Sequence, residues 1–343
     1  MNLDLPLIWV VITAVAVLMY VVLDGFDLGV GILFPIAKSP QDRDVMMNTI
    51  APIWDGNETW LILGGNALLA AFPVAYAALM PALYIPVLLM LVALILRGVS
   101  FEFRFRARNR GRRFWTVAFA FGSILATFSQ GLILGGFIQG VRVDEAGRFV
   151  GSPFDWLSPY TLLVSFGLVA GYSLLSATWL VMKTTDALHG DARRWSWIAL
   201  TLTVAFLAAV SLATLDAHPR VAERWGLAGG AIDWSVLLPL LTVPGLGAVG
   251  FAVVAEGLAK GRHRSPFVGS FLIFLSGFFG LAVGFYPYVL PYSFTFREAA
   301  APENAMAFML AGTAVILPMI LGYTVYVYWA FRGKVTPESG YHH

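Results

Sequence analysis

The stretch "WLILGGNALLAAFPVAYAALMPALYIPVLLMLVALIL", residues 60–96, decides the fold. It runs 37 residues without one charged side chain. As a single helix it would be about 55 Å long, against a hydrocarbon core of about 30 Å. The run must therefore fold back on itself, and Pro73 and Pro81 mark the hairpin. Two membrane spans come out of it.

Composition extends that reading to the whole chain. Hydrophobic residues make up 59% of the 343 and charged residues only 12%. A soluble domain carries about 25% charged residues, so half that figure points to an all-α integral membrane protein. The mean hydropathy is +0.77. Helices in lipid pack laterally, so residues 1–343 are expected to form a single membrane domain. There is no cysteine, which excludes disulfide scaffolds, thiolate metal sites and thiol catalysis. The net charge is only +2, and no nucleic-acid partner is expected. The first apolar segment, Leu7 to Phe34, exceeds the roughly 7–15 residues of a signal-peptide core and reads as a retained span. His342 and His343 read as the stub of an affinity tag and are set aside.

Nine transmembrane helices are expected, at about 7–34, 54–75, 78–98, 114–140, 158–182, 195–217, 234–257, 267–290 and 306–331. Loop charges test the count. With the N-terminus outside and the C-terminus cytoplasmic, the inner segments hold 17 of the 22 basic residues. The outer ones keep only Arg142, Arg148, Arg220, Arg224 and Arg297. Every loop then obeys the positive-inside rule, and fusing the second and third spans would scramble it.

Against this apolar background the acids stand out. Asp24 and Asp27 are three apart near the end of span one and share a helix face, with Gly25, Gly29 and Gly31 allowing close approach by a neighbour. They lie ten and seven residues before Phe34, about 10–15 Å in from the cytoplasmic end. "WDGNETW", residues 54–60, repeats the spacing with Asp55 and Glu58. Just before it, Ser39, Pro40 and Asp42 form an S-x-x-D helix start, and Pro52 bends that surface helix into the membrane. Arg97 and Glu102 are expected near the interface, with Glu102 and Arg106 spaced as an i, i+4 pair.

Acids facing the cytoplasm with no basic residue at their depth suit a proton relay or a cation site. An ionisable group in hydrocarbon costs about 2.5–3.5 kcal/mol even on the lenient scale, and four on one side exceed what capping needs. A plainer reading stands beside this one. Asp55 would cap its helix, the Gly/Asp residues of span one would serve packing, and Glu102 with the arginines would anchor the inner interface. Tyr286, Tyr288 and Tyr292 read as an outer aromatic belt, and Trp54 and Trp60 as an inner one. Histidines are confined to loops or loop edges, so no mid-helix histidine can hold a haem; Met19, Met80, Met90, Met309 and Met319 could each ligate in principle but read as core, and there is no catalytic or metal motif. A cation-coupled secondary transporter is the rival function, but it would place its polar groups near the midplane.

"LDGFDLGVGIL" (23–33), "WDGNETWL" (54–61), "RGVSFEFR" (97–104), "YPYVLP" (286–291) and "YVYWAFRGKV" (326–335) together resemble subunit II of cytochrome bd-type quinol oxidases. The compact loops and the Glu of "WDGNETW" are similar to its cyanide-insensitive branch. The resemblance implies a fold of two four-helix bundles plus one peripheral helix, in the bacterial cytoplasmic membrane. It implies a terminal oxidase that takes electrons from quinol, drawn from the quinone pool, and reduces O2 to water. Two b-type haems and one d-type haem are then expected in a partner, subunit I, with none bound by this chain. A small single-span subunit and membrane lipid are further expected neighbours. Asp55 matches the family's acid in the cytoplasmic proton route. The assignment of Asp24, Asp27 and Glu58 to that route comes from helix geometry, and Arg97 and Glu102 are expected to be structural or interfacial.

Overall fold

The computed structural model describes residues 3–227 and 232–336 of the chain. The terminal histidines lie outside the described residues. The fold begins with α1 (Leu5–Leu33), opened by Asp4, whose carboxylate accepts from Leu7 N. A 3-10 turn (Phe34–Ile36) leads to α2 (Pro40–Asn48). Here the expected start is present as a full capping box: Ser39 Oγ accepts from Asp42 N, and Asp42 Oδ2 accepts from Ser39 N. The chain turns at 49–53 and enters α3 (Trp54–Ala71).

The charge-free run does fold back, with a difference. Pro73 opens a separate helix, α4 (Pro73–Ala82), set at 120° to α3. The return helix α5 (Tyr84–Arg106) starts at residue 84 rather than 78. Proline at the first helical position is pre-organised for a helix, so the expected hairpin bend became ten residues of helix. α6 (Asn109–Gln139), α7 (Pro159–Lys183) and α8 (Asp186–Ala217) follow. α6 and α8 start five and nine residues before the expected 114 and 195, because helix continues past the apolar limit into polar sequence.

α9 (Pro219–Arg224) is short, and α10 (Trp234–Leu240) and α11 (Thr242–Ala259) divide the seventh expected span next to Pro239. α12 (Ser265–Phe285) stops before Pro287, and residues 286–290 turn instead into a small antiparallel pair, β1 (Tyr288–Leu290) with β2 (Phe294–Thr295). α13 (Glu303–Ala330) ends the described fold. Among the described residues, eight helical segments are long and apolar enough to cross a membrane, and the bent α3–α4 pair is a further candidate. This is a multi-pass membrane protein.

α1 lies at the centre, against α3, α6 and α7. Close approach is possible because a Cβ at Gly29 would run into Tyr172 O and the Ser176 side chain. α5 pairs with α6, α7 with α8, and α11 with α12. α13 is almost wholly exposed and rests on α1 and α3. One end of the helix array, the basic end, carries Lys38, Arg104, Arg112, Lys183 and Lys334.

Candidate functional site

The buried stripe of α5 includes Met90, Ala93, Leu94, Arg97, Ser100, Phe101 and Arg104. Their three-to-four spacing is that of one helix face, and two of them are arginines. Because α4 takes up 73–82, α5 is displaced along its axis. Arg97 therefore sits nine residues, about 13 Å, inside the end of the helix.

That displacement brings Arg97 to the acids of α1 and α3. Its Nη1 lies 3.0 Å from Asp24 Oδ1 and 3.5 Å from Glu58 Oε2, and its Nη2 lies 4.0 Å from Asp27 Oδ2. The side chains of Arg97, Asp24 and Asp27 are at most 1% exposed, whereas Glu58 keeps 28%. Arg97 also stands over the Trp54 ring, 5.4 Å from its centroid, and that ring stacks on Phe101. Two expectations are corrected here. A basic residue does lie at the depth of the acids, and Arg97 is at the centre of their cluster rather than near the interface.

Asp27 has a second partner. Asn57 Nδ2 donates to Asp27 Oδ2 at 2.7 Å, and Asn57 Oδ1 accepts from the Tyr328 hydroxyl at 3.0 Å. Towards the helix centres, one turn from Asp24, the Tyr20 hydroxyl accepts from Gln130 Nε2 at 2.6 Å, and Tyr172 donates to Gln130 Oε1 at 2.9 Å. Among the described residues, Asp24 Oδ2, Asp27 Oδ1 and Arg97 Nε and Nη2 are buried without a protein hydrogen-bond partner. Donors and acceptors with capacity left in the same place suit ordered water.

Asp55 lies outside this buried group. It is exposed in the first turn of α3, where its Oδ1 accepts from Gly56 N at 2.8 Å. The residue in the capping position is Ile53, so Asp55 does not serve as the N-cap that the plainer reading required. Glu58, one turn further along α3, feels the charges of both Asp55 and Arg97 and lies at the edge of the buried cluster. Glu102 is exposed, and among the described residues no ion pair joins it to Arg106 or to the cluster around Arg97.

Sequence reasoning missed Arg104, Asn57, Tyr328 and Tyr20. Arg104 is buried on the face of Arg97, two turns on. Its Nη1 donates to Asp44 Oδ1 at 2.8 Å and its Nε to Thr116 at 3.0 Å. The stripe spacing of α5 was the signal that could have found both arginines. The inner aromatic belt is corrected at Trp60. Trp60 is 1% exposed and packs with Ala16 and Tyr20, and Tyr288 and Tyr292 are engaged by Arg220 through a hydroxyl and a carbonyl. Among the described residues, no group of three or more His, Cys, Asp or Glu side chains is placed to hold a metal ion.

Comparison with known proteins places the whole chain in one family. The family description "Cytochrome bd terminal oxidase subunit II" matches residues 5–331. "Cytochrome bd-I ubiquinol oxidase subunit 2" of Escherichia coli (strain K12) is 30% identical, over 98% of this chain and 96% of that protein. "Cytochrome bd ubiquinol oxidase subunit 2" of Bacillus subtilis (strain 168) is 26% identical over 97% of each. A solved bd oxidase structure from Geobacillus thermodenitrificans has the same fold, with a TM-score of 0.75 at 18% identity, over 95% of this chain and 98% of that one. The chain belongs to the cytochrome bd terminal oxidase subunit II family.

Proposed function

We propose that this chain is the haem-free subunit of a quinol:O2 oxidoreductase in the bacterial cytoplasmic membrane. It stabilises a haem-bearing subunit I and supplies part of the proton inlet for O2 reduction to water. In this reading residues 1–343 form one membrane domain of nine spans, two four-helix bundles with a peripheral helix. The N-terminus is outside and the basic end faces the cytoplasm, in keeping with the loop charges. The b- and d-type haems and the oxidation of quinol belong to the partner, and a small single-span subunit completes the complex.

The observation that carries the proposal is the graded series of carboxylates: Asp55 exposed, Glu58 part-buried, Asp24 and Asp27 buried, the last three gathered around Arg97. Asp55 collects a proton at the basic end and Glu58 takes it on at the edge of the cluster. Asp24 and Asp27 hold it where a fixed positive charge offsets part of the cost of burying carboxylates. Water beside the unpartnered oxygens and guanidinium nitrogens links the steps. Arg97 thus has a role in the route itself, and Glu102 is left as an interface residue.

The test is quinol-driven O2 consumption by the assembled complex carrying Asp55→Asn or Asp27→Asn. The expected result is slower turnover with the visible spectrum of the haems unchanged. Normal turnover in both variants removes these residues from the route, and loss of haem assigns them to assembly instead.

A further inference from the structure

Tyr328 comes from a helix that otherwise gives little to the interior. Only Met306 and Val327 of α13 are buried, and the helix rests on α1 and α3. Near the basic end Tyr328 turns inward, with its ring edge-on to Phe26 and Trp179. Its hydroxyl donates to Asn57 Oδ1 at 3.0 Å. Asn57 uses its opposite side towards α1: Nδ2 donates to Asp27 Oδ2 at 2.7 Å and to Leu23 O at 3.4 Å.

An amide side chain has one accepting end and one donating end, and the two are nearly identical in shape. Rotated by half a turn, Asn57 would point its oxygen at the Asp27 carboxylate, oxygen against oxygen. The Asp27 carboxylate and the Leu23 carbonyl, both acceptors, call for Nδ2 on the α1 side, and the Tyr328 hydroxyl, donating to Oδ1, anchors the amide in that orientation from its far side. The remaining polar and charged groups around Asp27 are Asp24 on α1, Arg97 on α5 and Glu58 on α3, none of which contacts Asn57 Oδ1.

The segment after α13 holds Tyr328 in register. Lys183, at the end of α7, donates through Nζ to Phe331 O and Gly333 O. Lys334 Nζ returns the contact to Thr184 O at 3.1 Å, and Val335 N donates to Lys183 O at 2.8 Å. Two lysines thus satisfy carbonyls of each other's segment and strap the end of α13 to the end of α7. Beside these contacts, Thr49, Trp179, Lys183, Tyr328 and Phe331 line a partly open cleft with about 10 Å³ of free volume, room for roughly one water.

We propose that Tyr328 is a positioning residue: through Asn57 it fixes the Asp27 carboxylate for proton transfer, and the Lys183–Lys334 strap fixes Tyr328. The proposal rests on the proton-inlet reading above. It does not require a proton to pass through the amide. Asn57 only orients the acceptor.

The experiment compares Tyr328→Phe, Asp27→Asn and the double variant in the intact oxidase complex. Turnover, KM for quinol, the solvent isotope effect in D2O and the visible spectrum are measured. Loss of one buried, oriented hydrogen bond predicts a kcat about five- to tenfold lower for Tyr328→Phe. KM and the haem spectrum should be unchanged and the isotope effect larger. The double variant should turn over no more slowly than Asp27→Asn alone, because Tyr328 acts through that carboxylate. Lys183→Met, remote from the acids, should reproduce a milder form of the Tyr328→Phe loss, and full kcat there removes the strap from the proposal. If Tyr328→Phe keeps full kcat while Asp27→Asn does not, the positioning role falls and the inlet reading stands. Additive losses in the double variant, or loss of haem in Tyr328→Phe, also overturn it. If Asp27→Asn itself turns over normally, the inlet reading falls and this inference with it.

Discussion

Arg97 Nη1 and Asp24 Oδ1 lie 3.0 Å apart with neither side chain reaching solvent. Each charge would be costly alone at that depth, and each is tolerable only because the other is present. Arg97→Leu strands two buried carboxylates, and the expected cost is about 3–5 kcal/mol. The thermal inactivation midpoint of the purified complex should fall sharply. Adding Asp24→Asn to Arg97→Leu should restore part of the loss. No recovery in the double variant would refute a direct pairing.

Asp44 holds two arginines of unequal burial. Arg104 is 1% exposed and Arg112 is 41% exposed. Asp44→Ala leaves the Arg104 guanidinium short of its charged partner and should destabilise by about 2–3 kcal/mol. Arg112→Gln removes only the outer contact and should cost less than about 1 kcal/mol. Thermal scans of the two variants, side by side, measure the difference. Equal losses would contradict the burial assignment.

Gly29 faces Tyr172 O and Ser176 across the α1–α7 contact, whereas Gly65 on α3 has nothing within 4 Å of where its Cβ would be. Gly29→Ala must push the two helices apart and is expected to cost about 1–3 kcal/mol. Gly65→Ala should be neutral or slightly stabilising, since alanine favours helix by about 1 kcal/mol over glycine. The yield and thermal midpoint of both proteins decide it.

Asp155, in the loop between α6 and α7, accepts from Arg142 Nη2 at 2.6 Å and from Ser152 N at 3.0 Å. The Arg142 hydrogen bond, ahead of the Ser152 one, holds its carboxyl below the usual range. A carboxylate with a depressed pKa contributes stability above its unfolded value of about 3.9 and loses it as pH falls through the folded one. Amide protection in residues 141–158, measured relative to the intrinsic exchange rate at each pH, should therefore be flat above about pH 5 and fall towards about pH 3. Arg142→Ser should remove much of that pH dependence.

Much of this protein was legible before its structure. Apolar length and the 37-residue run placed the helices in order along the chain, with ends that differ by up to nine residues, because apolar length is a physical requirement of a bilayer. Asp24, Asp27 and Glu58 were recognised because acids are so costly in that setting. Arg97 was misplaced for a specific reason. Its depth depends on where α5 begins, and that start depends on α4, whose ten residues look in sequence like more of the same apolar run. Asn57 and Tyr328 were invisible as a pair, since only tertiary packing brings α3 and α13 together. Tyr328 sits in an aromatic-rich segment, "YVYWAF", where one inward-facing hydroxyl has no local mark.

The Asn57–Tyr328 bond joins residues 271 positions apart in the chain. During synthesis α1 and α3 reach the membrane early, and Asp27 can meet Asn57 at once. The hydroxyl that fixes the amide arrives only after nearly all the remaining helices have been made. A nascent or truncated chain therefore holds its acids in an unfinished arrangement, and the order of translation itself delays the complete Asp27–Asn57–Tyr328 array until α13 has been made.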